Sequence, residues 1–195
     1  MPKIDQLVDA TYRHSRMSFL GTFQGYHKIA LIAKDQEKTT FIFPYANYHY
    51  TVMFFRLKNI GATYQRMMTR MFRDMIGRTV EMYIDDMVVK SKQETRHIED
   101  LQGVFEVLQQ HKLRLNADKC AFRVKAGKFL GYLITNRGIE FNPDQIDVVQ
   151  HLKLPGNSKE VQVLTGMLVA LNWFISKFAN HCRPFYQLLK KWKGF

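Results

Sequence analysis

The chain has 195 residues and a mass of 23.0 kDa, enough for one domain or for one and a small second. A hydrophobic content of 46%, with 15 Phe and 10 Met, excludes a disordered tail. No apolar run approaches the length of a membrane span, and Met1-Pro2-Lys3-Ile4-Asp5 has no apolar signal region, so an intracellular protein without membrane contact is expected. Cys120 and Cys182 form no CxxC pair, and with seven scattered histidines they make no zinc pattern.

Charge separates the chain into three parts. Residues 1–80 carry 12 basic and 5 acidic groups, residues 81–110 carry 3 and 7, and residues 111–195 carry 14 and 5. The net values are +7, −4 and +9, within a total of +12. Strong basicity predicts a polyanionic partner, most simply nucleic acid. A merely soluble cationic surface is the other reading of charge alone.

In chain order, Phe19-Leu20 and Tyr26 to Ile32 read as strand material broken near Gly21 and Gly25. Thr39 to Phe43 and Tyr48 to Met53 form a hairpin signal around the turn residues Pro44 to Asn47. Helical spacing begins after Asn59, with Tyr64, Met68, Met71 and Met75 on one stripe, and Gly77 as its stop. Arg66, Arg70 and Arg73 lie on another face, either solvated or in contact with phosphates. Thr79 to Ile84 and Met87 to Val89 are strand-like and flank Asp85-Asp86. A helix follows, with Ile98, Leu101, Phe105 and Leu108 as its apolar face. Short strands fit Lys112 to Leu115, Lys128 to Thr135 and Ile139 to Phe141. Asn142-Pro143 reads as a helix start. Leu154-Pro155-Gly156 is an internal break. Asn157 to Glu160 has capping-box spacing, opening one long helix striped by Val161, Leu164, Leu168, Leu171, Ile175 and Phe178. The order predicts a mixed α+β body followed by a helical C-terminal part.

Aspartate is a poor strand residue, so the Asp pair is expected at the turn between its flanking strands. Close carboxylates repel and stay charged only with a cation, and a hard ion such as Mg²⁺ suits oxygen ligands. Two such ions serve phosphoryl transfer, given a further carboxylate from another element. Solvated turn residues are the plain alternative.

Tyr83-Ile84-Asp85-Asp86 on a hydrophobic hairpin resembles the polymerase signature of reverse transcriptases. Val52 to Gln65 (VMFFRLKNIGATYQ) resembles the segment VMPFGLKNAGATYQ of gypsy-class long-terminal-repeat retrotransposons. Lys119-Cys120-Ala121-Phe122, Phe129 to Ile134, Val161 to Ala170 and Pro184 to Leu189 resemble that family's following blocks, in order. The resemblance covers nearly the whole chain and looks closest to elements of plant genomes.

The resemblance implies a right-hand polymerase fold: palm with antiparallel sheet and partial fingers over 1–141, then thumb and the start of the connection region over 142–195. It implies that Asp85 and Asp86 are two of three catalytic, Mg²⁺-binding carboxylates. Tyr26 matches the aromatic under the incoming sugar, Phe55 a side chain against the nucleotide, and Leu130-Gly131-Tyr132 a primer-gripping turn. The implied partners are an RNA template, a DNA primer, deoxynucleoside triphosphates, and other polyprotein parts such as ribonuclease H. The implied setting is cytoplasm, nucleus or a virus-like particle. The chain is expected to start after the block that supplies the fingers' triphosphate contacts.

The departures fall on functional positions. Gly21 stands where the family has its first catalytic aspartate, Phe54 where it has proline, and Arg56 where it has glycine. Val163 and Met167 stand where thumb arginines are common. Asp5, Asp9 and Asp35 sit in different local contexts and are not expected to substitute. The expectation is an impaired polymerase fragment; the alternative is a non-catalytic nucleic-acid-binding relic of the same fold. A metal-dependent nuclease would lack a third ligand and a positioned base.

Overall fold

The computed structural model describes residues 2–140 and 143–192. They divide into two compact units, Met1–Leu130 with Ile134–Ile139, and Gly131–Leu133 with Glu140–Phe195. Residues 141 and 142, which carry the expected domain boundary and the cap at Asn142, lie outside the described residues.

The first unit opens with helix α1 (Ile4–Thr11), strand β1 (Arg16–Phe23), a single 3₁₀ turn at Gly25–Lys28 and the short helix α2 (Ala33–Gln36). A two-stranded hairpin follows, β2 (Phe41–Phe43) with β3 (Ala46–Tyr48), then helix α3 (Ile60–Met71). The central hairpin is β4 (Val80–Tyr83) with β5 (Asp86–Ser91), followed by helix α4 (His97–Gln110), β6 (Arg114–Leu115), β7 (Ala121–Val124) and β8 (Ala126–Phe129). Strands β9 (Tyr132–Thr135) and β10 (Ile139–Glu140) complete a small sheet of order β10-β9-β8.

The main sheet runs β4-β5-β1-β6, with β7 also paired to β1, and every one of its pairings is antiparallel. Side chains alternate across it with period two. Leu20, Val80, Met82, Met87 and Val89 face α3 and α4, meeting Tyr64, Met68, Phe72, Val104 and Leu108 in one buried cluster. Each such side chain, fully buried, contributes roughly 1.5–3 kcal/mol. The other face carries Met17, Phe19, Val88 and a buried ion pair, Lys90 Nζ to Glu81 Oε1 at 2.7 Å. Lys90 also donates to the Ala10 carbonyl of α1 at 2.5 Å, which ties that helix to the sheet.

Several local expectations are corrected. β1 runs unbroken through Gly21, because its partners on β5 continue to Asp86. Residues 26–32 form no strand; Tyr26 is drawn into the core, and only Ala30 bridges to Val52. α3 stops at Met71, six residues before Gly77, where Phe72 is buried and the amides of residues 75–80 fold back in turns. α4 buries His97, Val104 and Leu108, whereas Ile98 and Phe105 are exposed. The run 128–135 is two strands joined by Leu130-Gly131, both with positive φ (52° and 87°), the signature of a type I′ hairpin turn.

The second unit holds helices α5 (Pro143–Gln150), α6 (Ser158–Ala170) and α7 (Phe178–Trp192), with α6 packed on both others. The cap at α6 is a variant of the capping box: Asn157 Oδ1 accepts from the Glu160 amide at 3.0 Å, while the Glu160 carboxylate reaches back to Asn157 Nδ2 at 2.7 Å and to the preceding Gly156 amide at 2.8 Å. The predicted single helix is broken by a 3₁₀ turn at Asn172–Phe174, where the Phe174 ring meets Tyr132 at 6.3 Å.

The hairpin β2–β3 is apolar yet open. Phe41 stacks with Tyr48 at 5.9 Å, Tyr50 stacks with Phe54 at 4.0 Å, and Ile42 and Tyr45 are 85% and 97% exposed.

Candidate functional site

Tyr83 pairs with Asp86, so the two-residue turn of the central hairpin is Ile84-Asp85, and Asp86 is the first residue of β5. This corrects the placement of both aspartates in the turn; the register Met82 opposite Met87, which keeps both methionines in the core, sets it. Ile84 takes φ 53°, a left-handed conformation that a β-branched residue adopts only under strain. Gln65 of α3 holds it: the Ile84 amide donates to Gln65 Oε1 at 2.6 Å, and Gln65 Nε2 donates to the Met82 carbonyl at 3.4 Å.

The two carboxylates have different surroundings. Asp85 is gripped by hydroxyls. Tyr26 donates to its Oδ2 at 2.5 Å and Thr22 to its Oδ1 at 3.3 Å, while Tyr64 donates to Thr22 at 2.9 Å. Burial, then the bond to Asp85 and its charge, push the Tyr26 phenol well above its ordinary pKa. Burial pushes Tyr64 up to about 12. Both therefore stay protonated donors at neutral pH. Gly25 makes room for this cradle, since a Cβ there would collide with the Tyr64 ring and hydroxyl.

Asp86 stands at the solvent edge of the opposite sheet face, with Gly21 as its cross-strand partner. The Thr22 amide donates to the Asp85 carbonyl at 3.2 Å, extending the ladder to the turn. Cross-strand Cα atoms lie about 4.5–5.5 Å apart, so a side chain at 21 would be an immediate neighbour of Asp86. Desolvation, then the charge of Asp85, raise the Asp86 pKa above the usual carboxylate range, and Lys119 opposes the rise.

The residues present do not fit a two-ion centre. Among the described residues no group of three His, Cys, Asp or Glu side chains converges. Asp5 and Asp9 lie on α1, and Asp35 is in an exposed ion pair with Lys38 at 2.8 Å.

The remaining expected positions have these placements. Phe55 is exposed and meets the Tyr26 ring edge-on at 5.2 Å. Arg56 has φ 83°, a conformation suited to glycine, the residue the resembling segment carries there. Leu130-Gly131 forms the turn described above, with Tyr132 opening β9.

The sequence profile described as reverse transcriptase (RNA-dependent DNA polymerase) matches residues 1–134. The chain belongs to the reverse transcriptase family. It is 29% identical over 191 residues to the retrovirus-related Pol polyprotein from transposon 297 of Drosophila melanogaster, covering 98% of this chain and 18% of the relative. It is 26% identical over 194 residues to that from transposon gypsy of the same fly, covering 100% and 19%. The chain thus spans about a fifth of the length of these relatives. Among solved structures, the foamy viral protease-reverse transcriptase in complex with RNA/DNA hybrid superposes with a TM-score of 0.86 at 20% identity, over 97% of this chain and 26% of that one. That likeness shows the reverse transcriptase fold.

Sequence reasoning places Tyr64 only on the apolar stripe of α3 and points to no site role for Thr22, Gln65 or Lys119. Tyr64, Gln65 and Lys119 lie inside the resembling blocks, which was the available signal. Thr22 gave none beyond adjacency to Gly21.

Proposed function

We propose that this chain is the palm and thumb part of an RNA-directed DNA polymerase that retains the fold and nucleic-acid binding but has an incomplete catalytic centre. The carrying observation is Gly21 in register with Asp86, without a third converging carboxylate among the described residues. In this reading the palm with partial fingers spans 1–141, and the thumb with the start of the connection region 142–195. Asp85 and Asp86 are the remaining catalytic carboxylates, Tyr26 and Phe55 wall the nucleotide, and Leu130, Gly131 and Tyr132 grip the primer. The partners are an RNA template, a DNA primer and a nucleoside triphosphate, with ribonuclease H among the other polyprotein parts. The net charge of +12 supports phosphate-backbone binding that reads no sequence.

Nucleotidyl transfer is attack of a primer 3′-hydroxyl on an α-phosphorus, with pyrophosphate leaving. Loss of one carboxylate in three is expected to cost on the order of 10³-fold or more in rate. The test is Mg²⁺-dependent extension of a DNA primer on an RNA template, beside salt-dependent binding of an RNA–DNA duplex. The expected result is duplex binding that weakens steeply with salt, without measurable extension. Robust extension by the unmodified chain, abolished by Asp85→Ala, would overturn the impaired reading.

A further inference from the structure

The helix α3 begins beside the Asp85 turn. A Cβ on Gly61 would lie 3.4 Å from Ile84 Cδ1, and Gln65 accepts from the Ile84 amide at 2.6 Å. Its inner side buries Tyr64 and Met68, while Arg66 and Arg70 are exposed on the outer side, one turn apart and about 6 Å along the axis. Arg73 is exposed just past the helix end. The row therefore starts next to the turn and leads away from it.

Arg66 and Arg70 form a ridge between two open clefts. One, of about 680 Å³, adds exposed Lys28 and His111 and the half-buried Met67 and Met71. The other, of about 720 Å³, adds Arg73. Among the described residues no Asp or Glu lines either cleft, and no ion pair engages Lys28, Arg66, Arg70 or Arg73. Like charges one turn apart destabilise a helix, so the row carries a cost that an external polyanion removes. The planar guanidinium forks onto phosphate oxygens through two N–H bonds. Thioether side chains pack against ring edges. A cationic groove with such a surface suits a strand whose bases are unstacked, rather than a duplex.

We propose that the outer face of α3 is a backbone track for single-stranded nucleic acid. Arg66 and Arg70 hold successive phosphates, Lys28 and Arg73 flank them, and the bases lie over Met67 and Met71. The track takes the unpaired strand that extends beyond a duplex held at the Asp85 turn. The proposal rests on the reading of the chain as a nucleic-acid-binding palm and adds a second contact surface to it. An acidic polypeptide is the competing occupant, and the start of the row beside the turn favours the nucleic acid.

The test is the anisotropy of a labelled RNA–DNA duplex, blunt or with a single-stranded template overhang, over a salt series. The unmodified chain is expected to bind the overhang form at least about threefold tighter. Arg66→Gln with Arg70→Gln is expected to erase that advantage and leave the blunt duplex bound as before. The salt slope for the overhang form is expected to fall by about 1.4, at about 0.7 per single-strand phosphate. Lys92→Gln with Lys125→Gln removes the same charge outside both clefts and is expected to keep the advantage. All four positions are exposed, so these variants fold. RNA and DNA overhangs are expected to behave alike, and a loss confined to one of them would overturn a track that holds phosphates. If the overhang adds nothing, or the arginine pair changes it no more than the lysine pair does, the proposal is overturned while nucleic-acid binding by the palm stands. If the unmodified chain binds neither duplex, that reading fails and the proposal with it. If the arginine pair weakens binding of a polyglutamate peptide but not of the overhang form, the face takes an acidic protein and the proposal falls.

Discussion

Asp85 and Asp86 are neighbours in sequence, but their surroundings have fared differently. Around Asp85 each part of a polar cradle is present: two tyrosine hydroxyls, a threonine, and a glutamine that secures the turn. Around Asp86 the cross-strand partner is a glycine, and a lysine stem lies over it. The first set also packs the core, so its loss would unfold the unit. The second set faces the open side of the sheet, where replacement costs little stability. At Gly21 the structure does not oppose the departure from the family pattern, whereas at Arg56, held at φ 83°, it does.

That contrast can be broken by attacking the frame. Lys90→Met leaves Glu81 as an uncompensated charge in a site where both side chains are almost fully buried. Removing one partner of such a pair costs about 3–5 kcal/mol. The melting temperature is expected to fall by roughly 6–20 °C, at about 2–4 °C per kcal/mol. A change of a degree or two would mean the frame is not rigid.

A smaller effect separates the two carboxylates. Tyr26→Phe removes a charge-assisted donor from Asp85 and is expected to cost about 1.5–3 kcal/mol. Asp86→Asn, at an exposed edge, is expected to stay within about 0.5 kcal/mol. Urea midpoints measured side by side give the comparison, and equal losses would erase it.

The sheet also reports on pH. His97 is fully buried between Ser18 and Ser91, with hydrogen bonds of 2.8 Å to each. Burial lowers its pKa below 6.5, against the pull of Asp100, with Arg16 and Arg123 adding to the lowering. The neutral ring is therefore the form that suits the fold. Its contribution is full above the unfolded pKa and is lost as pH falls through 6.5 toward the folded value, by at most about 1.4 kcal/mol per pH unit. Urea midpoints from pH 7.5 to 5 are expected to decline, and His97→Gln to flatten the decline.

One expected change is a gain. Arg56→Gly relieves a left-handed residue and is expected to raise stability by about 1 kcal/mol, read as a melting shift of roughly 2–4 °C. A loss would mean that the arginine side chain holds contacts worth more than the strain.

Much of this was legible in the sequence because period-two and helical patterns serve burial directly. The strands around the Asp pair, α3 and the Asn157 capping box follow from local spacing. The unbroken passage of β1 through Gly21 was not legible, because pairing with β5 overrides a single weak strand former. The split of the last helix was missed because its apolar stripe continues across the break. At the site, the resembling blocks marked Asp85, Asp86 and Gly21. The hydroxyl cradle and Lys119 depend on segments 42 to 98 residues away in sequence, which no local pattern encodes.

The open hairpin β2–β3 bears on how the protein behaves as a material. Its exposed aromatic rings and short, unpaired edges offer both apolar surface and free backbone groups to a like hairpin on another molecule. Concentrated solutions will therefore scatter light well before the fold melts, and a single lysine in place of Ile42 will clear them.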